Sequence, residues 1–143
     1  MNIAIASDHA GVEYKKALKA FIETLGHKVE DLGPYTEESV DYPTYSHKLA
    51  EKVLSKEADL GIILCGTGNG VAMAANKHQG IRAGLCWNKE IAALIRQHND
   101  ANILAMPARF VSIEEAKEIA KAYLETPFEG GRHQKRVDMI ACV

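Results

Sequence analysis

Cys65 stands where an apolar run meets a loop of alternating glycines, in the stretch LGIILCGTGNG at residues 60–70. Gly66, Gly68 and Gly70 allow a tight turn that brings backbone N–H groups close to a ligand. Where such a turn opens a helix, its N–H groups bind anions and favour a thiolate beside them. A thiolate there could attack a carbon or remove a proton, while the N–H groups stabilise the oxyanion of an enolising reaction. The alternative is a structural glycine turn beside a small buried hydrophobic residue.

The glycine spacing separates this loop from two common nucleotide-binding motifs. It lacks the last glycine of the dinucleotide-binding fingerprint, and the next strand ends in Leu-Cys-Trp-Asn without the acidic residue that would bind a ribose. No Gly-Lys-Ser/Thr completes a phosphate-binding P-loop. A non-catalytic nucleotide- or anion-binding module stays an alternative, because the fold alone does not decide function.

Other polar residues are candidates for chemistry. Asp8 and His9 follow the first predicted strand, where they could form part of a site or only a turn. Residues 98–100, His-Asn-Asp, could belong to a site or only cap the preceding helix. His9, Cys65 and His98 are residue types that ligate zinc, so a zinc hydrolase is a further alternative, although their spacing matches no zinc site.

Arg132 and Arg136 are four residues apart and share one face of a predicted helix. With His133 and Lys135 beside them, they could bind a phosphate group or form an ordinary solvated basic face. The formal net charge of −2 gives no overall attraction for nucleic acid or anionic lipid. Any bound anion must therefore be held by a local cluster such as this one.

Strands alternating with helices predict the elements that position these residues. The sequence predicts strands at 2–7, 28–32, 60–65, 81–86 and 102–106. It predicts helices over about 14–25, 43–56, 70–77, 88–98 and 113–125, with a capping box of Ser112 and Glu115 and a helical tail from about 130. The predicted fold is α/β, a Rossmann-like three-layer αβα sandwich with a central parallel sheet of about five strands, and residues 1–143 form a single domain. Ligands of such sheets bind beyond the carboxyl ends of the strands.

Cysteine usage and the amino terminus predict the compartment. The three cysteines form no CxxC pair, which indicates free thiols in a reducing environment. The first residues lack the basic region of a signal peptide, and no apolar run approaches the roughly 20 residues of a membrane span. We therefore expect a cytoplasmic protein.

Five motifs occur in an order typical of one known family: SDHAG at 7–11, DYP at 41–43, CGTGNG at 65–70, RQHND at 96–100 and EGGRHQKRV at 129–137. Together they resemble the type B ribose-5-phosphate isomerases over essentially the whole chain. The wider family includes galactose-6-phosphate and allose-6-phosphate isomerases. The resemblance implies a sugar-phosphate substrate and an isomerisation of ribose 5-phosphate and ribulose 5-phosphate through a cis-enediolate, without metal or cofactor. A six-carbon sugar phosphate stays the alternative substrate.

The resemblance also implies roles for individual residues. Cys65 resembles the base that moves a proton between C2 and C1, and Thr67 the residue that passes a proton between the sugar oxygens. The backbone of residues 66–70 would hold the cis-enediolate, with Asn69 contributing its backbone alone. His98 resembles the acid that opens the furanose ring, with Asp8 assisting. The remaining matched positions are His9, Arg109, Arg132 and Arg136 for the phosphate and Asn99 for the sugar.

The direction of the chain predicts how such a site is assembled. Cys65 should lie at the carboxyl edge of the sheet, where the helix 88–98 begins before running back antiparallel to the strands. Eleven helical residues span about 16 Å, which puts His98 near the opposite edge of its own subunit. Both residues must reach one small sugar, so a neighbouring subunit should supply His98, and the family likewise implies dimers with shared sites. We expect a homodimer or a dimer of dimers, with no nucleic-acid or membrane partner.

Overall fold

Five parallel strands form the centre of the chain in the computed structural model, which describes residues 1–142. The strands are β1 (Asn2–Ser7), β2 (Lys28–Asp31), β3 (Leu60–Cys65), β4 (Ala83–Leu85) and β5 (Ile103–Pro107). Their order across the sheet is β2-β1-β3-β5-β4, and every neighbouring pair is parallel. The central β3 is buried along its whole length, in agreement with its continuous apolar sequence. The predicted α/β class and number of strands are confirmed.

Helices cover both faces of this sheet. They are α1 (Val12–Thr24), α2 (Tyr42–Leu54), α3 (Asn69–Ala75), α4 (Lys89–Gln97), α5 (Ile113–Glu125) and α6 (Arg132–Asp138). One core joins α1, α4 and α5 to the sheet through residues such as Leu18, Ala92 and Ile119. A second core joins α2 and α3 to the other face through residues such as Leu49 and Val71. Two helical layers around one sheet confirm the predicted three-layer sandwich.

The differences from the predicted boundaries are local. β4 has three residues instead of the predicted 81–86, because Ile81 belongs to a turn. α2 ends at Leu54, and Lys56 just beyond it adopts a positive φ of 66°. A 3₁₀ turn at His9–Gly11, which the sequence analysis did not predict, precedes α1. The predicted capping box at the start of α5 is present, with reciprocal hydrogen bonds of 3.0 Å.

The predicted single domain spans residues 1–143, of which Val143 lies outside the described residues. α6 is the helix of the predicted tail. Within residues 1–142, no helix combines the length and the apolar character needed to cross a membrane.

A buried ion pair anchors the loop that follows β2. The ammonium group of Lys15, a residue that is 1% exposed, donates to both carboxylate oxygens of Asp31 at 2.6 and 2.7 Å. The same carboxylate accepts the N–H of Gly33 at 2.8 Å, and the hydroxyl of Tyr35 donates to the Asp31 carbonyl at 2.9 Å. The loop continues to Val40, beside the carboxyl edge of the sheet. Lys15 therefore holds both the end of β2 and the start of this loop.

We predict that Lys15→Met lowers the free energy of unfolding by about 3 kcal/mol, because it leaves a largely buried carboxylate without its cation. Urea unfolding of the variant and the wild type measures the difference. Lys16→Met is the matched control, since Lys16 is exposed on the same helix and should change stability by less than about 0.5 kcal/mol. Equal effects of the two substitutions would show that the pair contributes nothing specific.

Candidate active site

Cys65 ends β3 at the carboxyl edge of the sheet, and the glycine loop follows it directly. Its Sγ accepts a hydrogen bond from the N–H of Gly68 at 3.1 Å, and the residue is only 6% exposed. This contact fixes the sulfur against the loop. The sequence prediction that a thiol and a set of backbone donors share one turn therefore matches the geometry.

The loop depends on Gly68 having no side chain. Its φ is +76°, and a Cβ there would lie 2.5 Å from Leu85 Cδ1 and 3.0 Å from the carbonyl carbon of Met106. The Thr67 hydroxyl accepts the N–H of Asn69 at 3.3 Å, and both of these side chains are exposed. The loop thus holds a hydroxyl at the surface beside a buried sulfur.

Arg109, which follows β5, lies against the same loop. Its N–H bonds to the Gly66 carbonyl at 3.0 Å, and the N–H of Ala108 bonds to the Cys65 carbonyl at 2.9 Å. A Cβ on Gly66 would lie 3.2 Å from Cδ and from a guanidinium nitrogen of Arg109, so this cation lies over the glycine. A guanidinium in that position suits an anionic substrate group. Only the family resemblance suggested Arg109 from sequence, although its place just after a strand was a usable signal.

Asp8 and His9 follow β1 at the same edge. The N–H of Asp8 bonds to the Leu64 carbonyl at 2.9 Å, and its Oδ1 accepts the N–H of Ala10 at 2.8 Å. His9 Nδ1 accepts the N–H of Val40 at 3.4 Å, so Nε2 carries the proton of the neutral ring and can donate it. The expected turn chemistry of Asp8 is thus present, and a site role for it stays a prediction. We call the following residues the carboxyl-edge cluster: Asp8, His9, Cys65, Thr67 and Arg109.

Tyr42 is a neighbour of this cluster to which the sequence analysis gave no role. A Cβ on Gly70 would lie 2.6 Å from the Tyr42 ring and 2.9 Å from its hydroxyl oxygen, so the ring lies against the glycine loop. Tyr42 is the first residue of α2 and is exposed. Its place in the DYP motif was the only sequence signal for it.

Cys86 provides a contrast with Cys65. It is fully buried, and burial raises the pKa of its thiol to about 12. A thiol with such a pKa is protonated near neutral pH and is inert as a nucleophile or base. Cys86 is therefore a small buried residue of the core.

His98 belongs to a second group of side chains. It caps the carboxyl end of α4, and its ring stacks on the buried His133 ring of α6, with 4.4 Å between centroids and 13° between planes. His133 Nε2 lies 3.3 Å from a Glu129 carboxylate oxygen. α6 also carries Arg132 and Arg136, both exposed. We call the following residues the helix-end cluster: His98, Asn99, Arg132, His133 and Arg136.

The turn after His98 lies at the amino edge of the sheet, opposite Cys65. The N–H of Asn102 bonds to the Arg82 carbonyl just before β4, and the N–H of Gly61 near the start of β3 bonds to the Asn102 carbonyl. Gly61 and Cys65 are four residues apart along β3, about 13 Å. The structure therefore brings the predicted site residues together in two groups rather than one.

One group of potential metal ligands occurs within residues 1–142. The ligand atoms of His98, Glu129 and His133 lie within 4.8 Å of one another. A metal ion lies in the plane of each imidazole that binds it, and two stacked planes only 13° apart share no point at bonding distance. These rings therefore pack on each other rather than converge on an ion. The zinc set of His9, Cys65 and His98 is not brought together in the described part of the chain.

Comparison with known proteins gives matches over nearly the whole chain. The model of a family described as Ribose/Galactose Isomerase matches residues 3–140. Ribose-5-phosphate isomerase B of Escherichia coli is 45% identical over 141 residues, which cover 99% of this chain and 95% of that protein.

Solved structures agree with this match. A ribose 5-phosphate isomerase of Thermotoga maritima is 52% identical with a TM-score of 0.93, covering 96% of this chain and 94% of that one. The ribose-5-phosphate isomerase B of Mycoplasma genitalium with bound ribulose-5-phosphate is 47% identical with a TM-score of 0.91, covering 96% and 91%. With sequence and fold matched from end to end, the chain belongs to the ribose/galactose isomerase family.

Proposed function

We propose that the chain interconverts ribose 5-phosphate and ribulose 5-phosphate. The observation that carries the proposal is the glycine loop, which holds the Cys65 sulfur and the Thr67 hydroxyl and lies against the Arg109 cation. An aldose–ketose isomerisation needs a base beside carbon and donors fixed beside oxygen, and this loop supplies both. The relatives described above are ribose-5-phosphate isomerases, and one of them holds ribulose-5-phosphate.

In the proposed proton transfer, the Cys65 thiolate removes the proton from C2 of the open-chain aldose. The electrons of that C–H bond form the C1–C2 double bond, and the aldehyde oxygen takes the negative charge of the enediolate. Thr67 passes a proton between the two sugar oxygens, and Cys65 returns its proton to C1. The N–H groups of Gly68 and Asn69 already bond to side chains. The other N–H groups of residues 66–70 therefore stabilise the oxygens of the enediolate.

Ring opening precedes this step for the cyclic aldose. We assign it to His98, which donates a proton to the ring oxygen as the bond from C1 to that oxygen breaks. Asp8 assists by accepting the proton of the C1 hydroxyl, and Asn99 contacts the sugar. His9 and Arg109 of the carboxyl-edge cluster bind the phosphate on one side, and Arg132 and Arg136 of the helix-end cluster bind it on the other.

The separation of the clusters leads to a shared site. His98 and Cys65 lie at opposite edges of one subunit, whereas both must reach a sugar a few ångströms long. We propose a homodimer, or a dimer of dimers, in which each helix-end cluster completes the carboxyl-edge cluster of its neighbour. We place the enzyme in the cytoplasm, since the free thiols of Cys65, Cys86 and Cys142 suit a reducing compartment.

The choice of substrate is tested by comparing kcat/KM on ribose 5-phosphate, allose 6-phosphate and galactose 6-phosphate. We expect ribose 5-phosphate to give the highest value. The hexose phosphates are the main alternative, because the description of the matching family names both ribose and galactose. A higher kcat/KM on either hexose phosphate would assign the chain to that substrate instead.

We predict that Cys65→Ala lowers kcat by about 10²–10⁴-fold, because a positioned acid–base group contributes that much to a rate. Steady-state assays give kcat, and thermal unfolding checks that the fold is retained. Cys86→Ala is the matched control, because it removes a thiol from the core without touching the loop. It should change stability more than rate. If Cys65→Ala keeps more than about a tenth of the wild-type kcat, the base lies elsewhere.

We predict that inactive Cys65→Ala and impaired His98→Ala subunits restore activity when they are dissociated and reassociated together. Each heterodimer then has one site with both residues native and one site lacking both. An equal mixture should reach about a quarter of the wild-type activity, because half of the dimers are heterodimers with one intact site.

The control for this mixture is Cys65→Ala with the double variant Cys65→Ala/His98→Ala. No pairing of those subunits creates a site with a native Cys65, so activity should not rise. Verified heterodimers of the two single variants that gain nothing over their parents would place both residues in one subunit's site.

A further inference from the structure

Asp100 lies in the turn after α4, in a backbone conformation that normally belongs to glycine. Its φ is +46°, and its N–H bonds to the Arg96 carbonyl at 3.3 Å, as in a left-handed helix cap. Glycine or asparagine is the usual residue there, because a Cβ is disfavoured at positive φ. Aspartate also tolerates this conformation, and here it brings a carboxylate into the turn.

Two arginines hold that carboxylate. Arg96 donates to Oδ1 at 2.9 Å and to the Ala101 carbonyl at 2.6 Å. Arg82 donates to the Asp100 carbonyl at 2.9 Å and reaches Oδ2 at 3.5 Å. Arg96 also bonds to the Thr126 carbonyl after α5. The turn is thereby tied to α4, to the segment before β4 and to the end of α5.

His98 and Asn99 lie in the chain between Arg96 and Asp100, whose side chains bond to each other. Within the described residues, the His98 ring makes its stacking contact with His133 and no hydrogen bond. Its position therefore depends on this stacking and on the backbone of the turn, which Arg82, Arg96 and Asp100 fix. Catalytic geometry is sensitive to such support, because a displacement of about 1 Å can cost about 10²-fold in rate.

We infer that Arg82, Arg96 and Asp100 form a clamp that positions His98 and Asn99 for the neighbouring subunit's sugar. The three are positioning residues and touch no substrate. The inference rests on the proposed function, in which His98 opens the ring. Partly exposed ion pairs contribute little to stability, and Asp100 is 35% exposed, so the clamp matters more for rate than for folding.

Asp100→Gly tests the clamp, because glycine adopts the positive φ without strain and only the carboxylate is lost. We expect a melting temperature within a few degrees of the wild type, a kcat on ribose 5-phosphate lower by about 10–10²-fold, and a KM changed by less than about threefold. Asp100→Asn keeps one acceptor oxygen and tolerates positive φ, so it should recover part of the lost kcat.

Lys56→Gly is the matched control. Lys56 also follows a helix at positive φ, but it is exposed and lies outside both clusters, so this variant should keep the wild-type kcat. The double variant His98→Ala/Asp100→Gly should be slowed by clearly less than the product of the two single effects, because Asp100 acts through His98 and only the contribution of Asn99 remains to be lost.

If Asp100→Gly keeps the wild-type kcat while His98→Ala lowers it, the clamp is wrong and the proposed function stands. The same would follow if the two substitutions slowed the enzyme additively. A wild-type protein without isomerase activity, or a His98→Ala variant of undiminished kcat, would remove the proposed role of His98 and the clamp with it.

Discussion

All five strands run in one direction, so each segment that leaves a strand starts at one edge of the sheet. Each segment that leaves a covering helix starts at the other edge. Cys65 is the last residue of a strand, whereas His98 directly follows the last residue of a helix. Cys65 and His98 therefore lie at opposite edges of the sheet in one subunit. In the proposed function, this constraint makes the boundary between two subunits part of the active site.

The two buried cysteines show how the surrounding backbone decides what a thiol can do. The thiol of Cys86 donates to the carbonyl of Gly84 at 3.9 Å, and burial raises the pKa of this thiol to about 12. Cys65 instead meets the N–H of Gly68, which can bond to a negative sulfur. The difference comes from the turn after β3, which a side chain at Gly68 would obstruct. In the proposed function, this loop distinguishes Cys65, the base, from Cys86, which is part of the core.

Features encoded by neighbouring residues could be predicted from the sequence. The strand 60–65 and the capping box before α5 depend on local pattern, and Cys65 could be placed because ligands bind beyond strand ends. Features that join distant segments could not be predicted. Lys15 resembles an ordinary helical lysine until the fold shows Asp31 beside it, and Asp100 resembles a simple helix cap until the fold shows Arg82 beside it. Such partners become visible only when the fold brings their segments together.

The helix-end cluster combines a firmly held backbone with two exposed arginines. Arg132 and Arg136 are exposed, where water solvates their charges and leaving them unpaired costs little. The backbone next to them is different, because the turn after α4 is tied down by charged hydrogen bonds. In the proposed function, a site that waits for another subunit's ligand benefits from this division. Ordering the backbone beforehand lowers the entropy lost on binding, and the exposed cations need no internal partner to be displaced before they meet a phosphate.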